Sequence, residues 1–117
     1  MNPEEFKKRT KAFAVRIITL VDTLPSSRST NVIANQRMRS GTSVGANYRA
    51  VCRAKSKPDF ISKLGTVEEE CDETIYWMEL LIESGKMKAS RLSSLLKEAD
   101  EILSMIVASS TTARSRK

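Results

Sequence analysis

Residues 30–55, TNVIANQRMRSGTSVGANYRAVCRAK, repeat at helical spacing but carry no single apolar stripe. Ile33, Ser40, Val44, Asn47, Val51 and Ala54 make one row. Ala34, Met38, Gly41, Gly45, Tyr48 and Cys52 make a second row beside it. Gly41 and Gly45 each cost about 1 kcal/mol relative to alanine inside a helix. Close approach by a neighbouring backbone is the natural compensation. Two rows of small residues predict packing on two sides, one within the chain's own bundle and one against another subunit. The remaining side carries Arg39, Arg49 and Arg53, which fall within an arc of about 80° at the turn angle of an α-helix.

Working outward, three more helical patterns flank this one. In residues 3–24, Phe6, Thr10, Phe13, Ile17, Leu20 and Leu24 recur in steps of three and four, with Asn2 as cap and Pro3 in the first turn. Lys7, Lys8, Arg9, Lys11 and Arg16 decorate the other faces. Residues 58–84 place Phe60, Leu64, Val67, Cys71, Thr74, Met78 and Leu81 on a seam, and Gly85 stands where a terminating glycine belongs. Residues 88–108 carry Leu92, Leu96, Ala99, Leu103 and Ile106, widened by Leu95 and Ile102. Short polar loops join the four, so the fold class is all-α, an antiparallel up-down-up-down four-helix bundle. Residues 1–110 form its single domain, and residues 111–117 read as a basic, flexible tail.

Charge is divided sharply along the chain. Residues 23–58 hold seven basic residues and no acid, whereas residues 59–84 hold eight acids and only Lys63 on the basic side. A basic helix beside an acidic one suits two elements that pack together while one keeps spare positive charge. The net charge of +6 tilts the balance towards a polyanionic partner. The amino terminus lacks the basic and then apolar order of a signal peptide. No apolar run approaches the roughly 18–20 residues that span a bilayer, so a cytoplasmic location is expected. Cys52 and Cys71 both fall inside helical patterns and read as buried, reduced thiols.

The chain has no histidine, which removes the usual neutral-pH base, the Ser–His and Cys–His pairs and the commonest metal ligand. Glu70 and Glu73 can lie side by side, but the Glu-x-x-His motifs of di-iron bundles are missing. Those acids read instead as partners for arginines of the second helix. Gly41 and Gly45 follow no strand and precede no Gly-Lys-Ser/Thr, so they are not a phosphate loop. The reading is a non-enzyme with neither cofactor nor metal. Trp77 is expected as a core or interface anchor, with Tyr76 more exposed.

Three stretches taken together resemble a known family: residues 36–47, QRMRSGTSVGAN; residues 59–64, DFISKL; and residues 70–81, ECDETIYWMELL. They are similar to the four-helix-bundle proteins encoded in intervening sequences of bacterial 23S ribosomal RNA genes. Relatives of that family include accessory variability proteins of diversity-generating retroelements. The likeness covers residues 5–108. It implies a homopentameric barrel with no known catalytic activity. For the retroelement relatives it also implies a basic surface that engages nucleic acid and a partner reverse transcriptase. Arg39, Ser43, Asn47, Phe60, Glu70, Glu73 and Trp77 match the signature and are expected to be structural. Family members commonly carry a Glu shortly after the Asn, where this chain has Ala50 beside Arg49.

Two functions follow as expectations. The first is an oligomeric bundle that binds RNA or DNA through Arg49, Arg53, Lys55, Lys57, Arg114, Arg116 and Lys117. The second is a structural or protein-interaction scaffold whose charges serve only folding and subunit assembly.

Overall fold

The computed structural model describes residues 2–116. Four helices account for most of them: α1 (Pro3–Asp22), α2 (Arg28–Cys52), α3 (Lys57–Glu83) and α4 (Ala89–Ser115). No strand occurs among the described residues, and no helix is long and apolar enough to cross a membrane.

Each boundary has a local cause. Asn2 Oδ1 accepts the Glu4 N–H at 2.8 Å, and Pro3 begins α1. Ser27 Oγ accepts the Thr30 N–H at 3.1 Å, which starts α2 at Arg28, earlier than its apolar rows do. Ser56 caps α3 through the Asp59 N–H at 3.2 Å. Gly85, at φ 75°, ends α3 in the left-handed region and turns the Lys86 and Met87 N–H groups back to the Leu81 carbonyl.

The far end of α4 departs from expectation. The helix does not stop at Ala108 but runs to Ser115, so residues 111–115 of the stretch read as a flexible tail are helical; Arg116 is extended, and Lys117 lies outside the described residues. Residues 109–113 hold neither proline nor glycine. Ser110 is buried against the bundle, and Ser115 Oγ donates to the Thr112 carbonyl at 2.9 Å. Polar residues with some cover and no breaker continue a helix already begun.

The helices pack in a ring, α1 on α2, α2 on α3, α3 on α4, and α4 back on α1 by the slightest contact. The result is a rod of 49 × 21 × 20 Å. Phe6, Phe13, Ile17, Leu64, Met78, Leu81, Leu92 and Ile106 are all core, as their spacing predicts. On α4 the emphasis shifts: Leu95 and Ile102 are buried, while Leu96 and Leu103 flank them. On α2 the two rows merge into one buried strip of Ala34, Ser40, Gly41, Val44, Tyr48 and Val51. Cys52 lies at the outer edge of that strip, on the last turn of α2, and is exposed, against the expectation of a buried thiol. Cys71 is buried, with Sγ 3.3 Å from the Ala99 carbonyl, and burial pushes its pKa up to about 12.

Candidate nucleic-acid interface

Both interior glycines of α2 meet α1. A methyl group placed on Gly41 would lie 2.9 Å from Ile17 Cγ1, and one on Gly45 would lie 3.3 Å from Thr10 Oγ1. The close contact that their cost demands is therefore made inside the chain, by one helix. Drawing α1 this near to α2 sets the lysines of α1 beside the arginines of α2.

A groove of about 590 Å³ runs along this edge, with Ala14, Gly45, Ala46 and Ala50 among its lining. Its polar wall is Lys7 and Lys11 from α1, Arg49 and Arg53 from α2, and Lys63 from α3. Among the described residues no carboxylate lines it. Lys7 reaches Glu4 at 3.2 Å, and Lys63 reaches Asp59 at 2.6 Å. Lys11, Arg49 and Arg53 make no salt bridge among the described residues. Lys7 and Lys11, like Arg49 and Arg53, stand four residues apart, so each pair is separated by about 6 Å along its helix. Two neighbouring rows of cations at that interval can meet successive phosphates of one strand.

Arg49 and Arg53 thus come together as part of one site, while the other expected binding residues lie elsewhere. Lys55, Lys57 and Arg116 border a separate hollow at the junction of α2, α3 and the end of α4. Arg114 is exposed on the last turn of α4 and lines neither. Lys117 lies outside the described residues. Lys7, Lys11 and Lys63 belong to the groove but were not singled out from sequence. The matching four-residue spacing of Lys7 and Lys11 was the available signal.

Three of the signature residues, Arg39, Glu73 and Trp77, form a different cluster. Arg39 Nη2 donates to Glu73 Oε1 at 3.3 Å and to Gln36 Oε1 at 3.3 Å. Trp77 Nε1 donates to the same Glu73 oxygen at 3.4 Å. Arg39 therefore bridges α2 to α3 and leaves the stripe it shares with Arg49 and Arg53. Trp77 is half-buried and meets Tyr76 edge-on at 5.4 Å between ring centroids, while Tyr76 is 55% exposed. Ser43 Oγ donates to the Arg39 carbonyl, Asn47 is half-buried, and Phe60 packs at the edge of the core. Glu70 has one buried, unpartnered oxygen, and burial, with Glu73 nearby, raises its pKa.

One cation escaped the sequence reading entirely. Arg37 is fully buried, and none of its three guanidinium nitrogens has a hydrogen-bond partner among the described residues. Desolvation lowers its pKa to about 10.

Residues 4–108 match the family described as 23S rRNA-intervening sequence protein. No curated protein matches the chain. Among solved structures, a protein of unknown function from the S23 ribosomal protein family of Bacteroides thetaiotaomicron is similar. It shares 35% sequence identity, with 95% of this chain and 99% of that chain covered, at a TM-score of 0.87.

Proposed function

The chain belongs to the 23S rRNA-intervening sequence protein family, and on that premise we propose that it is a non-enzymatic bundle protein that binds RNA or DNA by its phosphates. The groove between α1 and α2 is the contact surface. The observation that carries this reading is a lining of five cations with no carboxylate. Three of them, Lys11, Arg49 and Arg53, make no salt bridge among the described residues, and such free guanidinium and ammonium groups displace counterions from a phosphate backbone. No aromatic side chain lines the groove, so it reads backbone and not bases.

The architecture proposed is the antiparallel up-down-up-down bundle. As α1 advances from Thr10 to Ile17, the facing residue of α2 falls from Gly45 to Gly41, which supports opposed directions for that pair. Arg9 against Glu98 and Arg16 against Ser94 support the same for α1 and α4. Copies of the chain assemble into a homo-oligomer, with five subunits on the family resemblance. Assembly multiplies weak phosphate contacts through avidity.

Fluorescence anisotropy with labelled RNA at several salt concentrations tests the reading. The log–log slope of affinity should fall by roughly 0.7 to 0.9 per phosphate contact. A flat signal at micromolar protein would defeat it. Light scattering on the same sample measures subunit number separately.

A scaffold without nucleic acid is the second reading, favoured by two arginines already committed to carboxylates. Arg9 binds Glu98 at 2.7 Å and Glu101 at 3.4 Å, and Arg39 binds Glu73. Under that reading the groove cations meet acids of another subunit, and RNA leaves the mass of the assembly and its anisotropy unchanged.

A further inference from the structure

The prolonged end of α4 builds a second surface, chemically unlike the cationic groove. Two adjoining hollows, of about 640 and 490 Å³, share Phe60, Ala113 and Arg116. The larger is floored by Phe60, Met105, Ala108 and Ala113, with Ser109 and Thr112 as its only hydroxyls. The smaller continues it past Ala54 to Lys55 and Lys57. An apolar slot is thereby rimmed at one end by three cations, Lys55, Lys57 and Arg116.

Among the described residues no carboxylate lines either hollow, and the three rim cations make no salt bridge. The nearest acid in sequence is Asp59. Its Oδ2 accepts from Lys63 Nζ at 2.6 Å and from the Lys55 N–H at 3.0 Å, so it offsets part of the Lys55 charge but makes no salt bridge with Lys57 or Arg116. A sugar–phosphate backbone would satisfy the cations but leave the floor uncovered. An apolar chain would cover the floor but leave the cations idle. A segment carrying both a bulky apolar side chain and flanking carboxylates matches both parts.

We infer that this slot between the start of α3 and the end of α4 docks an acidic peptide segment of a protein partner. Its aliphatic or aromatic anchor seats on Phe60, Met105 and Ala113, and its carboxylates pair with Lys55, Lys57 and Arg116. The anchor supplies area removed from water, and the charges supply orientation and association rate. The inference stands apart from the cationic groove of α1, α2 and Lys63, which shares no lining residue with the slot.

A fluorescein-labelled decapeptide with glutamates around a central Leu-Phe pair is the probe, titrated into the full chain by anisotropy. The parent peptide should bind. A version with glutamine for glutamate, and one with Ser-Ser for Leu-Phe, should each bind about tenfold more weakly or worse. Ala113→Trp fills the slot and should abolish binding. Because that change could disturb α4, the exposed double substitution Lys57→Glu with Arg116→Glu provides an independent loss, each variant being checked by circular dichroism. Arg49→Glu with Arg53→Glu should leave peptide affinity unchanged. Equal binding of the glutamine peptide, or undiminished binding to both slot variants, overturns the inference. So does displacement of the peptide by an RNA oligonucleotide whose own affinity falls in Ala113→Trp, since the slot would then be a nucleic-acid site.

Discussion

Ile17 of α1 rests on the bare backbone of Gly41 of α2, so close that a methyl group there would meet Cγ1 at 2.9 Å. Ile17 is fully buried and has nowhere to withdraw. The helix-propensity gain of Gly41→Ala, about 1 kcal/mol, is outweighed by an overpacking cost of roughly 1–3 kcal/mol. The variant should have a lower denaturant midpoint at unchanged slope. At Gly45 the contact is a looser 3.3 Å to Thr10 Oγ1, and the two terms should nearly cancel. Gly65 of α3 has nothing within 4 Å of its would-be Cβ, so Gly65→Ala should stabilise by about 0.5–1 kcal/mol. Three glycine substitutions in helices, with three different outcomes, test the packing directly.

The slight seam between α1 and α4 is fastened by Arg9, whose Nε and Nη2 grip the two oxygens of Glu98 at 2.9 and 2.7 Å. That bidentate bond holds the Glu98 carboxyl below its usual range, against the opposing effect of burial. A carboxylate whose pKa is lower in the fold than in the open chain stabilises the fold at pH above its unfolded value. That contribution is lost as pH falls through the folded value. Glu98→Gln should therefore cost about 1 kcal/mol at neutral pH, and the gap from the parent should close on acidification below about pH 4. Chemical denaturation across pH 2–7 measures both curves.

Arg49→Glu and Arg53→Glu should weaken RNA binding and flatten its salt dependence by about one unit of slope or more. Their stability should change by less than about 0.5 kcal/mol, since the side chains are exposed and pair with nothing. Arg39→Ala should do the reverse. Its tie to Glu73 is part of the α2–α3 contact, so RNA affinity should hold while stability falls by up to about 1 kcal/mol. A set in which Arg39 and Arg49 behave alike would undo the separation of structural from binding arginines.

The apolar seams were legible because they obey one periodicity: Phe6, Phe13 and Ile17, like Leu64, Val67 and Met78, are buried where a helix puts them. The end of α4 was not legible, since serine and threonine runs are ambiguous until a neighbour such as the α3 wall gives them cover. The groove was half legible. Arg49 stands on α2 and Arg53 caps its end, and their spacing shows it, but Lys7, Lys11 and Lys63 join them only through the packing of three helices. Arg37 was invisible for the opposite reason, because its type argues for the surface and only tertiary packing encloses it.

The two thiols should be told apart by reagent. Cys52 is exposed, whereas Cys71 is buried with its pKa pushed up to about 12. Thiolate, not thiol, attacks a disulfide reagent such as Ellman's. One equivalent should react promptly with the native protein and the second only at the rate of unfolding. Cys52→Ser should remove the fast phase alone.

Arg37 carries the strongest prediction. A guanidinium with no acceptor among the described residues, enclosed in the core, loses hydration without gaining a partner from them. Replacing buried charges by well-packed apolar side chains is often neutral or stabilising, by about 1–4 kcal/mol for a whole ion pair, and an unpaired charge has no Coulombic gain to lose. Arg37→Met should raise the denaturant midpoint. Because the folded pKa of Arg37 is lowered to about 10, the open chain binds more protons than the fold above that pH. Its penalty should therefore shrink as pH rises past 10, and parent and variant should converge there. A variant less stable than the parent at neutral pH would mean that the guanidinium is satisfied in solution, by water or by another subunit, and that its enclosure serves assembly.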